Sequence, residues 1–317
     1  MDKKLENWLH NANPWTNVYG LARTLLATST LLTLLFNPTG NFFKPSSFSE
    51  TYPNCSNRYS IFCLIDFNDT ELIIIKWICI LILGIVASGW RPRFTGIFHA
   101  WITFSFYNSA VAVDGGEQVA TVFSLILLPI TLTDNRKWHW QDPPQSRDEI
   151  SKVIGMTSYY ALRVQVAILY FHSVVAKISE EEWIDGTAVW YYIQSPMLGF
   201  HPDLLNIFKP LLTTPLIVVP TWGTLILQFI LVMALVIDKK YWKYILIAAM
   251  FMHEIFAIAL GLISFSLAVI AVLLMYLRPL EETFNFKEVK NTVLSNTFKG
   301  LNKIKLLKNG RLRYEEK

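Results

Sequence analysis

Residues 244–277 read YILIAAMFMHEIFAIALGLISFSLAVIAVLLMYL. At a rise of 1.5 Å per residue this run is too long for one crossing of a hydrocarbon core about 30 Å thick. Gly261 to Ser264 interrupt it, and the break divides it into two spans. A single long, tilted helix would send the end of the chain to the other side, so this reading decides whether the number of crossings is even.

Outward from it lie six more apolar runs, at about 18–36, 72–88, 94–113, 119–132, 153–176 and 216–237. Together they predict an all-α polytopic membrane protein of about eight transmembrane helices. Of the 317 residues, 53% are hydrophobic and 16% charged, against about 25% charged in an average soluble domain. Spans and short loops leave no room for a sizeable soluble domain. The organisation expected is a cytoplasmic N-terminal segment (1–15), a transmembrane domain (16–280) and a basic tail (281–317). The polar opening MDKKLENWLHNANPW, with no small-residue cleavage site after the first apolar run, predicts an uncleaved anchor.

The net charge of +4 is patterned by loop. Lys3, Lys4, Arg91, Arg93, Arg136, Lys137, Arg147, Lys152, Lys239, Lys240 and Lys243 fall with the tail on one side, while Lys44, Arg58, Lys177 and Lys209 fall on the other. By the positive-inside rule both termini are expected on the cytoplasmic side of the membrane. The charge reports topology and does not point to nucleic acid. In the tail, Val289, Leu294, Phe298 and Leu301 alternate with lysines, which suits a helix lying on anionic lipid.

Cys55 and Cys63, spaced C-x7-C, share the first outer loop, whereas Cys79 sits in a span. The outer compartment permits a disulfide, which would hold the loop by about 2–3 kcal/mol. The other reading is a redox pair acting on a partner's thiols, but such pairs sit closer, as C-x-x-C.

Ionisable residues within spans cost several kcal/mol and mark function by default. Lys76 sits near an outer end, where it can snorkel. Arg23 and Arg163 are deeper and need partners, for which Glu254 is a candidate. Arg163, Tyr170 and Lys177 repeat at seven residues on nearly one helix face, with His172 on the opposite face. Lys177 is read either as an anchor paired to Glu180, Glu181 or Glu182, or as a desolvated base. His253 stands mid-span, where it bonds a neighbouring helix or serves a site. No metal-ligand spacing is present. Asp114-Gly115-Gly116-Glu117 forms a tight outer turn on the side of Lys177. The aromatic stretch EEWIDGTAVWYYI (181–193) is an interfacial belt or a lid over a cavity.

Several of these stretches carry a resemblance. LRVQVAILYFHSVVAKISEEEWIDGTAVWYYI (162–193), MFMHEIFAIALGLISFSLAVIAVLL (250–274) and DGGEQVATVFSLILLPIT (114–131) resemble the membrane part of vitamin K-dependent γ-carboxylases, the horizontally transferred transmembrane (HTTM) domain. That resemblance implies an HTTM-type bundle, with Lys177 at the catalytic base and His253 at the helix histidine. The large extracytoplasmic domain of the carboxylases has no counterpart here. NPWTNVYGLARTLLATSTLLTLLFNPT (13–39) resembles the opening of the bacterial SdpB family, over nearly the whole length. This second resemblance implies production of an exported antimicrobial peptide toxin, with a small SdpA-like partner and a precursor of SdpC type. It names no cofactor. The candidate site is Lys177 with His253, His172, Asp114 and Glu117. The sequence leaves open an enzyme acting on the precursor, a non-catalytic scaffold, and an immunity or transport protein, the last without an inverted repeat to support it.

Overall fold

The computed structural model describes residues 12–44, 53–56, 59–64, 68–111, 113–142, 148–195 and 199–284. Lys3, Lys4, Arg58, Arg147 and the tail helix expected beyond 284 lie outside the described residues. Six helices are long and apolar enough to cross a membrane: α1 (Asn17–Phe36), α2 (Asp69–Ser88), α4 (Gly115–Thr133), α5 (Glu149–Ile178), α6 (Val218–Met233, with the 3-10 turn Pro215–Ile217 ahead of it) and α7 (Lys239–Leu260). Two more, α3 (Pro92–Ser109) and α8 (Ile263–Leu277), complete the bundle. Among the described residues there is no strand, only an isolated bridge between Trp90 and Trp138. The expected all-α polytopic membrane architecture is present.

The chain breaks where residues 261–264 suggested. Gly261 ends α7 with φ +72°, a left-handed conformation that glycine adopts without steric cost. The two helices form a hairpin: Ser266 donates to Glu254 near the turn, and Lys239 pairs with Glu281 at the open end. α8 is about 22 Å long and eleven of its fifteen residues are buried, packed on α1, α4 and α7.

Local sequence sets the other ends. A capping box between Asn68 and Glu71 starts α2, and Gly89 at φ +89° stops it. Pro92 opens α3, and Asp114 caps α4 by accepting from the amides of Gly116 and Glu117. α3 stops at Ser109, short of 113, because the amide of Val111 turns aside to the carbonyl of Phe42.

The bundle has two distinct ends. At the basic end, Trp15 bonds Thr133, Arg91 bonds Lys137, and Arg23 reaches His139. At the disulfide end, Cys55 and Cys63 are bonded to each other, and Phe42, Phe43, Phe62 and Phe106 pack together beneath them. Between the ends the outward residues are apolar: Ile74, Trp77, Ile78, Leu81 and Ile85 on α2, and Ile247, Phe251, Ile255 and Ile258 on α7. Lipid is the solvent for such faces, and inter-helix hydrogen bonds are made inside, as between Thr103 and Ser124 at 2.7 Å.

Three buried cations take partners the sequence did not indicate. Arg23, wholly buried, donates to the carbonyl of Val86, to Thr95 Oγ1 and to His139 Nδ1. Arg163 stacks on Trp242, 4.2 Å from the ring centroid, and faces Tyr276 at 5.6 Å. Glu254 therefore serves neither arginine; its carboxylate is taken by Ser266. Lys76 is buried near the disulfide end. Its ammonium is 3.0 Å from the carbonyl of Asn37, at the C-terminus of α1, where the helix dipole favours a cation.

Candidate functional site

The inward face of α5 approaches the disulfide end with Tyr170, Ser173 and Lys177 in succession. Spacings of three and four put all three on one face. Tyr170 is buried, and its phenol lies 3.1 Å from Nε2 of His253 on α7. One turn further, Ser173 Oγ donates to Gln228 Oε1 on α6 at 3.2 Å. Lys177 Nζ then donates to Ser173 Oγ at 2.7 Å and faces the Trp183 ring at 5.3 Å. Ser173 is thereby held between an amide on one helix and an ammonium on its own.

The segment after α5 turns back over this cluster. Short helices Glu181–Ile184 and Ala188–Ile193 follow Lys177, with Trp183 buried at their start. Gly186, at φ +86°, lies against Val218 so closely that a Cβ would fall 2.9 Å from it, and the amide of Val189 bonds Thr221. The aromatic stretch is thus pinned to the head of α6, with Trp183 against the Lys177 ammonium and Tyr191 and Tyr192 exposed. The amphipathic helix Pro202–Leu212 follows it with no buried residue.

His253 has no hydrogen-bond partner at Nδ1 among the described residues. Its ring is flanked by Phe256 and Phe265, with centroids 5.9 and 5.7 Å away. Phe265 in turn packs on the Asp114–Glu117 turn: a Cβ on Gly116 would fall 2.7 Å from the Cα of Phe265. That close approach is what the second glycine of the turn permits. Glu117 is wholly buried and accepts from Thr30 of α1 at 2.9 Å. Asp114 is occupied by its cap.

The candidate residues therefore divide. Lys177 and His253 lie near enough to interact electrostatically, and Phe265 separates His253 from Asp114 and Glu117. His172 points away, exposed beside Phe171 on the outward face of α5. Glu180, Glu181 and Glu182 form no ion pair with Lys177 among the described residues. Ser173 and Gln228 belong to the cluster although the sequence reading passed over them. Gln228 carried a signal, as an amide in the apolar run LILQFIL (225–231). Ser173 carried its position one turn before Lys177. Among the described residues no set of three His, Cys, Asp or Glu side chains converges, so none is assigned to a metal.

The cluster can hold a polar group between Lys177, Ser173 and Gln228, with Tyr170 and His253 as a second, deeper donor–acceptor pair. Over 288 residues the chain is 48% identical to the uncharacterized protein YitO of Bacillus subtilis (strain 168), covering 90% of this chain and 93% of that protein. Over 281 residues it is 36% identical to the sporulation-delaying protein SdpB of the same organism, covering 88% and 86%. No family profile and no solved structure matches the chain.

Proposed function

The chain belongs to the family of the sporulation-delaying protein SdpB, and on that premise we propose that it is the membrane component required to produce an exported antimicrobial peptide toxin. It acts with a small partner of SdpA type on a precursor of SdpC type. The observation that carries the reading to a site is the cluster of Lys177, Ser173, Gln228, Tyr170 and His253 beneath Trp183. A peptide segment carries carbonyls and side-chain carboxylates, and these are the acceptors an ammonium and two hydroxyls bind.

The orientation places this cluster on the extracytoplasmic side, with both termini inside. Its support is the gathering of Arg91, Arg93, Arg136 and Lys239 away from the disulfide, together with the disulfide itself, since such bonds persist in oxidising compartments. The bundle is of HTTM type by resemblance, and that resemblance makes Lys177 the group to test as a base. A scaffold reading is favoured by one feature: the Lys177 ammonium is engaged within its own helix and by Trp183.

Mass spectrometry of secreted peptide, from cells with and without this protein and with partner and precursor present, tests the function. Mature peptide is expected only when the protein is present. The same mature peptide in its absence would remove the proposal.

A further inference from the structure

A cavity of about 490 Å3 opens at the basic end, lined by Arg91, Arg93, Phe94, Asp134, Asn135 and Arg136. We propose that it is a binding site for the phosphate headgroup of an anionic phospholipid, with the acyl chains lying along α3.

The charge in the cavity is unbalanced. Asp134 is wholly buried and fully engaged by Arg136, whose Nε and Nη2 grip its two oxygens at 2.9 and 2.8 Å. Arg93 is bonded to a neutral amide, Asn135, at 2.7 Å, and no carboxylate pairs with Arg91 or Arg93 among the described residues. Two guanidiniums thus face one cavity without counter-charge. Planar guanidiniums suit a phosphate oxygen pair, and basic pockets between spans are where anionic headgroups bind.

The backbone beneath them is held in an uncommon conformation. Arg91 is the one non-glycine residue with positive φ among the described residues, at +40°. Its amide donates to the carbonyl of Lys137 at 2.8 Å, and its carbonyl accepts from the amides of Phe94 and Thr95. His139 bonds back to Gly89 and Trp140 to Ser88, so the loop after α4 clamps the turn before α3. A bulky residue kept at positive φ costs free energy, and such positions cluster at binding sites.

The surroundings select a lipid over a free anion. Phe94 is 59% exposed at the cavity wall, and Ile97 and Phe98 continue the same outward surface of α3. Trp90 and Trp138, both partly exposed, flank the turn as interfacial aromatics do. A phosphate held by the arginines would have its acyl chains beside this apolar strip, whereas inorganic phosphate would leave the strip unused.

The test uses the full-length protein purified in nanodiscs of phosphatidylcholine, with or without phosphatidylglycerol. Native mass spectrometry reads the retained lipid and a melting curve reads stability. Arg91→Gly suits the positive φ, so it removes the guanidinium while keeping the wild-type melting temperature in phosphatidylcholine alone. Arg93→Gln removes the second charge. The wild type is expected to retain phosphatidylglycerol in preference to phosphatidylcholine. Arg91→Gly should weaken that retention on the order of tenfold, and the double variant should abolish the preference. Equal retention by wild type and Arg91→Gly would overturn the site. So would protection by inorganic phosphate equal to that by phosphatidylglycerol, which would make the ligand a free anion.

Discussion

The phenol of Tyr170 and the Nε2 of His253, 3.1 Å apart, tie α5 to α7 inside the bundle. Both side chains are buried, and the other ring nitrogen of His253 is unbonded among the described residues. Cutting one partner leaves a buried polar atom without water or protein to satisfy it. Tyr170→Phe is therefore expected to cost about 1–3 kcal/mol, and His253→Leu a similar amount. The double variant should cost clearly less than their sum, since both unsatisfied groups then disappear. Melting curves of the four proteins in one detergent check this, and strict additivity would mean the two groups are independent.

Lys177 separates chemistry from anchoring. Arginine keeps the charge and can still bond Ser173 or stack on Trp183, but it does not give up a proton near neutral pH. A base is lost in both Lys177→Arg and Lys177→Ala, with protein level and membrane insertion unchanged. An anchor tolerates arginine and suffers partly from alanine. Secreted mature peptide from each strain is the measurement, and normal production from Lys177→Arg would leave the scaffold as the better account.

The Cys55–Cys63 bond closes a short loop over Ser60, Ser105 and Ser109, where Ser109 donates to Ser60 at 2.6 Å. Replacing both cysteines by serine should lower stability by about 2–3 kcal/mol while leaving the mass of the secreted peptide unchanged. A peptide with its own cysteines left reduced would instead assign the pair a redox role.

Orientation is read by labelling. A cysteine placed at Asp142, at the basic end, should resist impermeant thiol reagents in intact cells. One placed at Asn206, on the exposed amphipathic helix, should react. The opposite pattern would invert the topology and the side on which Lys177 acts.

His139 makes the basic end sensitive to acid. Arg23 can only donate, so Nδ1 of His139 accepts and Nε2 carries the proton toward Thr24, 3.3 Å away. Burial, with Arg23 and Arg136 nearby, lowers its pKa from the ordinary 6.5 to about 2. Below about pH 6.5 the unfolded chain takes up a proton here that the folded chain refuses, so stability falls with pH down to about 2 and is level above 6.5. The slope is at most about 1.4 kcal/mol per pH unit. Melting temperatures of wild type and His139→Gln should converge as pH falls through this window.

The sequence by itself determined the helices and their breaks. In lipid every backbone amide must bond within its own segment, so an apolar run of sufficient length becomes a helix whatever its neighbours are. The break at Gly261, the caps at Asn68 and Asp114, and the C-x7-C loop are likewise local chemistry. Heptad spacing put Arg163, Tyr170 and Lys177 on one face, and that face is the inward one. Spacing says which side chains share a face, not what that face meets. Helix rotation and packing decided that Arg163 stacks on Trp242 and not on Glu254, that His172 faces outward, and that Gln228 of α6 reaches Ser173 of α5. They also turned Arg91, Arg93 and Arg136, legible only as markers of topology, into the walls of one cavity. The Ser173–Gln228 and Arg163–Trp242 contacts join residues 55 and 79 positions apart, and such pairings arise when whole helices dock, each burying the partner that fits its neighbour's surface.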